Sequence, residues 1–162
     1  MTYHPLGLSE FSNQQLHPWF RHCRERHAAY GVEHCSSVRG GTVAVVLIVE
    51  DDEHVRMLAE SILREAGHET CSAATATEAH AIIESEKKLD LLFVDLSLLE
   101  HHEEGLEVAL AAVKVHPGLP VIYTTGRGIT DGMLALFVQP NVFLAKPYNG
   151  EQLLTATANL LK

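Results

Sequence analysis

Residues Val45–Asp52 read VVLIVEDD, an unbroken apolar run that stops abruptly at three consecutive acids. A short β-branched run bounded by polar residues predicts a strand buried on both faces, the pattern of a parallel sheet. In open parallel α/β sheets, ligands sit just beyond the carboxyl ends of the strands. Glu50, Asp51 and Asp52 are therefore expected where such folds keep their chemistry. Two carboxylates held about 4 Å apart repel by about 4 kcal/mol at an effective dielectric of about 20. A hard cation is the simplest reason to gather acids there.

The rest of the chain repeats the design. The first strand is expected over about Val43–Val49, followed by a helix over about Glu53–Ala66. That helix places Val55, Leu58, Ala59, Ile62, Leu63 and Ala66 on an apolar stripe, with Gly67 set to end it in a left-handed cap. A short strand, Glu69–Ala73, comes next, and Thr75 with Glu78 has the spacing of a capping box opening a helix through Ile82 and Ile83. Asp90–Asp95, DLLFVD, again delivers a carboxylate to the end of an apolar run. Glu104–His116 predicts a helix closed by Pro117-Gly118, and Pro120–Thr125 a fourth strand. Helix signals over Gly126–Pro140 are weak, with three glycines in the stretch. Val142–Ala145 is the fifth strand, Lys146-Pro147 follows it with a turn that a cis bond could fix, and Asn149 caps a last helix to about Leu161. Five βα units imply a doubly wound, five-stranded parallel sheet with right-handed crossovers.

Charge separates the two parts of the chain. Residues 1–42 carry a net +1 and the remainder a net −10, for a total of −9. So acidic a body argues against direct binding to nucleic acid. Residues 1–42 hold five histidines among Gly, Ser and Arg, and form an N-terminal extension expected to be poorly ordered, with a short helix conceivable over Asn13–Ala29. A metal site from His22, Cys23, His27, His34 and Cys35 fits no familiar zinc spacing. Residues 43–162 form the expected domain. The absence of a long apolar run or signal-like start predicts no membrane span and a cytoplasmic location, and three irregularly spaced cysteines do not make a disulfide framework.

Four strand ends now carry chemistry: Glu50 with Asp51, then Asp95, Thr125 and Lys146. Singly, each has a plainer reading. Asp95 could cap a turn, Thr125 could be a turn residue, Lys146 could be a solvated lysine, and Asp52 serves to begin a helix. The coincidence of all four at one sheet edge argues otherwise. If the first and third strands are neighbours, about 4.8 Å apart, three carboxylates converge, an oxygen set suited to Mg²⁺.

In order and spacing, VLIVEDD, LLFVD, PVIYTTG and FLAKPY resemble the receiver domain of two-component response regulators, over about Val43–Lys162. The resemblance implies a flavodoxin-like fold with strand order 2-1-3-4-5. It implies that Asp95 accepts a phosphoryl group from a histidine kinase or phosphotransfer protein. Glu50, Asp51 and Asp95 would hold Mg²⁺ with the Ser97 carbonyl, while Thr125 and Lys146 would bind phosphoryl oxygens. Thr125 and Phe143 would form the switch, with Phe143 otherwise a core residue of the fifth strand. YTTGR and the glycines after it are similar to single-domain receivers whose fourth helix is short or irregular. The chain is thus expected to act alone, as a monomer or weak dimer that signals through protein contacts rather than as an enzyme. The family's loop after the phosphorylated Asp carries a Pro where Leu99 stands and reaches its Gly sooner than Gly105, so this loop, with His101 and His102, is about two residues longer. Two other functions remain. A pseudo-receiver would bind partners without phosphorylation, and a small Mg²⁺-dependent phosphatase would need a second Asp where Ser97 stands.

Overall fold

The computed structural model describes residues 43–85, 88–98 and 104–162. These belong to one compact unit, Thr42–Lys162. The N-terminal extension with its His and Cys cluster lies outside the described residues, as do Leu99, His101 and His102.

Ten elements alternate among the described residues: β1 (Val45–Val49), α1 (Glu53–Glu65), β2 (Glu69–Ala73), α2 (Ala76–Ile83), β3 (Leu91–Asp95), α3 (Glu104–Val115), β4 (Val121–Thr125), α4 (Asp131–Leu134), β5 (Asn141–Ala145) and α5 (Gly150–Leu160). The strands pair in parallel in the order β2-β1-β3-β4-β5. The expected doubly wound sheet is present, and β1 and β3 are neighbours, with Val49 opposite Val94.

Side-chain alternation divides the core between the two sheet faces. Leu47, Val49, Leu92 and Val94 pack with Ala79 and Ile83 of α2 and Val108, Ala109 and Ala112 of α3. Val46, Ile48, Leu91 and Phe93 pack with Ala59 and Leu63 of α1 and Leu153 and Ala156 of α5. Both faces of β1 and β3 are therefore dry, which is why their sequences run apolar without alternation.

Helix ends follow their capping residues. Asp52 starts α1 by accepting the N–H of His54 at 2.8 Å and of Val55 at 3.1 Å. These two bonds hold its carboxyl below the usual carboxylate range. Gly67, at φ +91°, turns the chain out of α1 in the left-handed region that glycine tolerates. Asn149 and Gln152 form a reciprocal capping box at α5, each side chain accepting the other's N–H at 2.9 Å. Thr75 caps α2, but Glu78 returns its bond to Ala74 rather than to Thr75.

Two expectations about burial are corrected. Leu58 is 51% exposed, because the stripe that meets the sheet runs through Val55, Ala59, Ile62 and Leu63 and leaves it on the flank. Phe143 is not a core residue but 36% exposed. Alternation along the edge strand β5 turns Val142 and Leu144 toward α1 and α5, and Phe143 toward the face where α4 stands. With four residues and no buried side chain, α4 covers little. Stacking of Phe137 on Tyr123, centroids 4.0 Å apart, and a bond from Val138 N–H to the Tyr123 hydroxyl at 3.1 Å anchor the segment after it.

Candidate functional site

The site forms where β1, β3, β4 and β5 end. Glu50 follows β1, its N–H bonded to the Ala73 carbonyl at 3.1 Å, so the residue continues the strand and turns its carboxyl inward at 1% exposure. Arg56, one turn into α1, donates to the carbonyls of Glu50 at 2.7 Å and Asp51 at 3.3 Å and so holds the acidic turn against its helix. Asp95 ends β3 at 4% exposure, and its Oδ1 accepts the Ser97 N–H at 3.0 Å. One oxygen from each of Glu50, Asp51 and Asp95 lies within 4.8 Å of the others. These are hard, anionic donors without sulfur or imidazole, a set that fits Mg²⁺ better than zinc or copper.

Lys146 follows β5, its N–H bonded to the Thr125 carbonyl at 3.0 Å. Its Nζ donates to both oxygens of Glu50, at 2.8 and 2.6 Å, and to Asp95 Oδ2 at 2.8 Å. The peptide bond that follows, Lys146–Pro147, is cis. Burial pushes the Glu50 carboxyl up to about 7, even against the opposing pull of Lys146. Burial alone would lower the Lys146 ammonium, but its bonds to Asp95 and Glu50 outweigh that and hold it above the ordinary lysine value. The cation is thus locked on at neutral pH.

Thr125 ends β4 at 3% exposure, accepts the Arg127 N–H at 3.1 Å, and shares a 3.0 Å hydrogen bond with the Ser97 hydroxyl. Ser97 therefore ties the Asp95 loop to the Thr125 loop. The resemblance implies only a carbonyl role for Ser97, and this hydroxyl link is not legible in the sequence, since nothing in the chain signals a meeting of residues 28 apart. Arg56 is a further residue of the site, and its signal in the sequence is a cation one helical turn after an acidic N-cap. Phe143 stands apart from the acids, on the exposed side of β5.

Residues 46–158 match the response regulator receiver domain family. The chain belongs to that family. As a receiver of two-component systems it resembles an NtrX-like response regulator of Rickettsia bellii, with 31% identity over 67% of this chain and 23% of that protein. The chain thus matches about a quarter of that relative's length. Among solved structures it resembles a CheY-like receiver domain protein from Methanospirillum hungatei, at 30% identity and a TM-score of 0.65, covering 74% of this chain and 94% of that one. The receiver domain of NtrX from Brucella abortus is similar at 30% identity and a TM-score of 0.63, covering 72% of this chain and 97% of that one. In this receiver an aspartate, two further acids, a lysine and a hydroxyl converge, an arrangement competent for phosphoryl chemistry on a carboxylate.

Proposed function

We propose that Asp95 of this receiver accepts a phosphoryl group from a histidine kinase or a phosphotransfer protein in a Mg²⁺-dependent reaction. The reading rests above all on Lys146 Nζ, which bonds Asp95 Oδ2 at 2.8 Å and Glu50 at 2.6 Å, beside Asp51. A carboxylate oxygen of Asp95 attacks phosphorus in line with the leaving group. The new P–O bond forms as the P–N bond to the donor histidine breaks, and its electron pair stays on the imidazole nitrogen. Phosphoryl transfer needs positioning and neutralisation of oxygen charge more than acid–base work.

Glu50, Asp51 and Asp95, with the Ser97 carbonyl, would hold Mg²⁺, whose charge neutralises phosphoryl oxygens. Lys146 supplies the second cation and Thr125 a hydroxyl donor. Phosphoryl charge then draws Thr125 and its loop inward, and the exposed Phe143 of β5 follows as the reporting side chain. Residues 43–162 are the receiver unit, with residues 1–42 a separate extension. Output is by contact with a protein partner, not by turnover of a substrate or by direct binding to nucleic acid. The setting proposed is the cytoplasm, which accords with the lack, among the described residues, of any helix long and apolar enough to cross a membrane.

The test is incubation with acetyl phosphate and Mg²⁺, read by intact mass. The expected result is one added phosphoryl group on the wild type and none on Asp95→Asn. A mass gain that persists in Asp95→Asn overturns the assignment.

A further inference from the structure

Two buried side-chain oxygens have no hydrogen-bond partner among the described residues: the hydroxyls of Thr124 and Tyr148. Neither has a role in the chemistry described so far, yet both stand on the sheet face that carries Asp95. Phe93 and Asp95 are two residues apart on β3 and so share a face. Thr124 on β4 is the register partner of Asp95, which places it on that face too. Tyr148 sets its ring edge-on against Phe93, with centroids 5.9 Å apart and planes at 74°. It lies two residues beyond Lys146, past the cis Lys146–Pro147 bond.

A buried hydroxyl with no partner costs about 1–3 kcal/mol. Two such groups on one sheet face are stability forgone in the resting protein. Both residues could be replaced without that cost by Phe and Val of nearly the same shape. The Tyr148 hydroxyl is held well above the ordinary phenol value, by burial first and then by the charges of Glu50 and Asp95. It therefore remains a proton donor with carboxylate charge nearby.

In the resting state Lys146 donates to two oxygens of Glu50 and one of Asp95. Once a phosphoryl group stands on Asp95, the ammonium turns to phosphoryl oxygen and releases carboxyl oxygens in a buried site. Resting on the phosphoryl-acceptor reading above, we propose that Tyr148 and Thr124 are positioning residues for the phosphorylated state. Their hydroxyls donate to the Glu50 and Asp95 oxygens that Lys146 gives up.

The test uses Tyr148→Phe and Thr124→Val in the full chain, each removing one hydroxyl and keeping the side chain's shape. Three quantities are measured: the melting temperature without Mg²⁺, the affinity for beryllofluoride with Mg²⁺, and the lifetime of the phosphorylated form by intact mass. The expected result is a melting temperature unchanged or raised, with beryllofluoride affinity lowered about five- to tenfold and the phosphorylated lifetime altered. Affinity and lifetime within twofold of wild type in both variants overturn the proposal. A fall in Mg²⁺-free melting temperature also overturns it, because the hydroxyls would then be serving the resting fold. Wild type that takes neither beryllofluoride nor phosphoryl brings down the underlying reading as well, a result distinct from variants that differ from a competent wild type.

Discussion

Glu50 is a carboxylate at 1% exposure whose pKa burial pushes up to about 7 from an ordinary 4.5. Its folded value is raised, so its contribution to stability is fully present below the unfolded pKa and is lost as pH rises through about 7. Glu50→Gln, which keeps the neutral shape, should therefore melt higher than wild type in metal-free buffer at pH 8. The gap should close toward pH 4.5, and its full size is on the order of 3 kcal/mol. Thermal unfolding across that range checks this, and a gap independent of pH would contradict it. Glu50, Asp51, Asp95, Thr125 and Lys146 were all legible in the sequence because each ends an apolar run. The Ser97 and Tyr148 hydroxyls were not, because their surroundings are set by residues from other strands.

At the level of elements, caps and apolar runs located most boundaries to within a residue or two. Helix α4 is the exception in kind. Gly126, Gly128 and Gly132 weaken any helical pattern in this stretch, and the chain forms four residues of helix under the Thr130 cap. At the start of α3 the reverse holds, since Gly105 sits where helix propensity alone favours alanine by about 1 kcal/mol. A Cβ there would overlap the Asp95 carbonyl oxygen and come within 2.8 Å of Leu96 Cα. Backbone on backbone cannot yield as a side chain can, so Gly105→Ala should destabilise the protein by about 1–3 kcal/mol despite its better propensity. It should also slow phosphorylation, because the displaced backbone carries Asp95. Urea unfolding and the rate of mass gain from acetyl phosphate measure the two effects. A variant as stable and as fast as wild type would show that α3 is free to shift.

Over the whole molecule, acids from two strand ends share one small volume. Their repulsion is opposed inside the site by Lys146, which bonds two of them directly. A divalent cation there should stabilise the folded chain by mass action, by about 2.7 kcal/mol at a hundredfold excess over its Kd. The melting temperature should thus rise by about 5–10 °C at that hundredfold excess for a domain of this size, and go on rising with the logarithm of the Mg²⁺ concentration. Asp51→Asn should remove most of that rise and leave Arg56 still bonded to the turn through its carbonyls. A rise of equal size in Asp51→Asn would place the cation elsewhere.

The amino-acid sequence by itself determined the alternation of strand and helix, the acids and the lysine at the strand ends, and the class of sheet. Those follow from local rules of burial, capping and periodicity that act over a few residues. Strand adjacency came from resemblance to known receivers, and the tertiary structure bears it out. Only that structure decided that Lys146 would clasp Glu50 and Asp95 together, that Ser97 would meet Thr125, and that Phe143 would stand exposed. The physical reason is range: hydrogen bonds and contacts act over a few ångströms, and which distant residues come that close is settled by packing of the whole sheet.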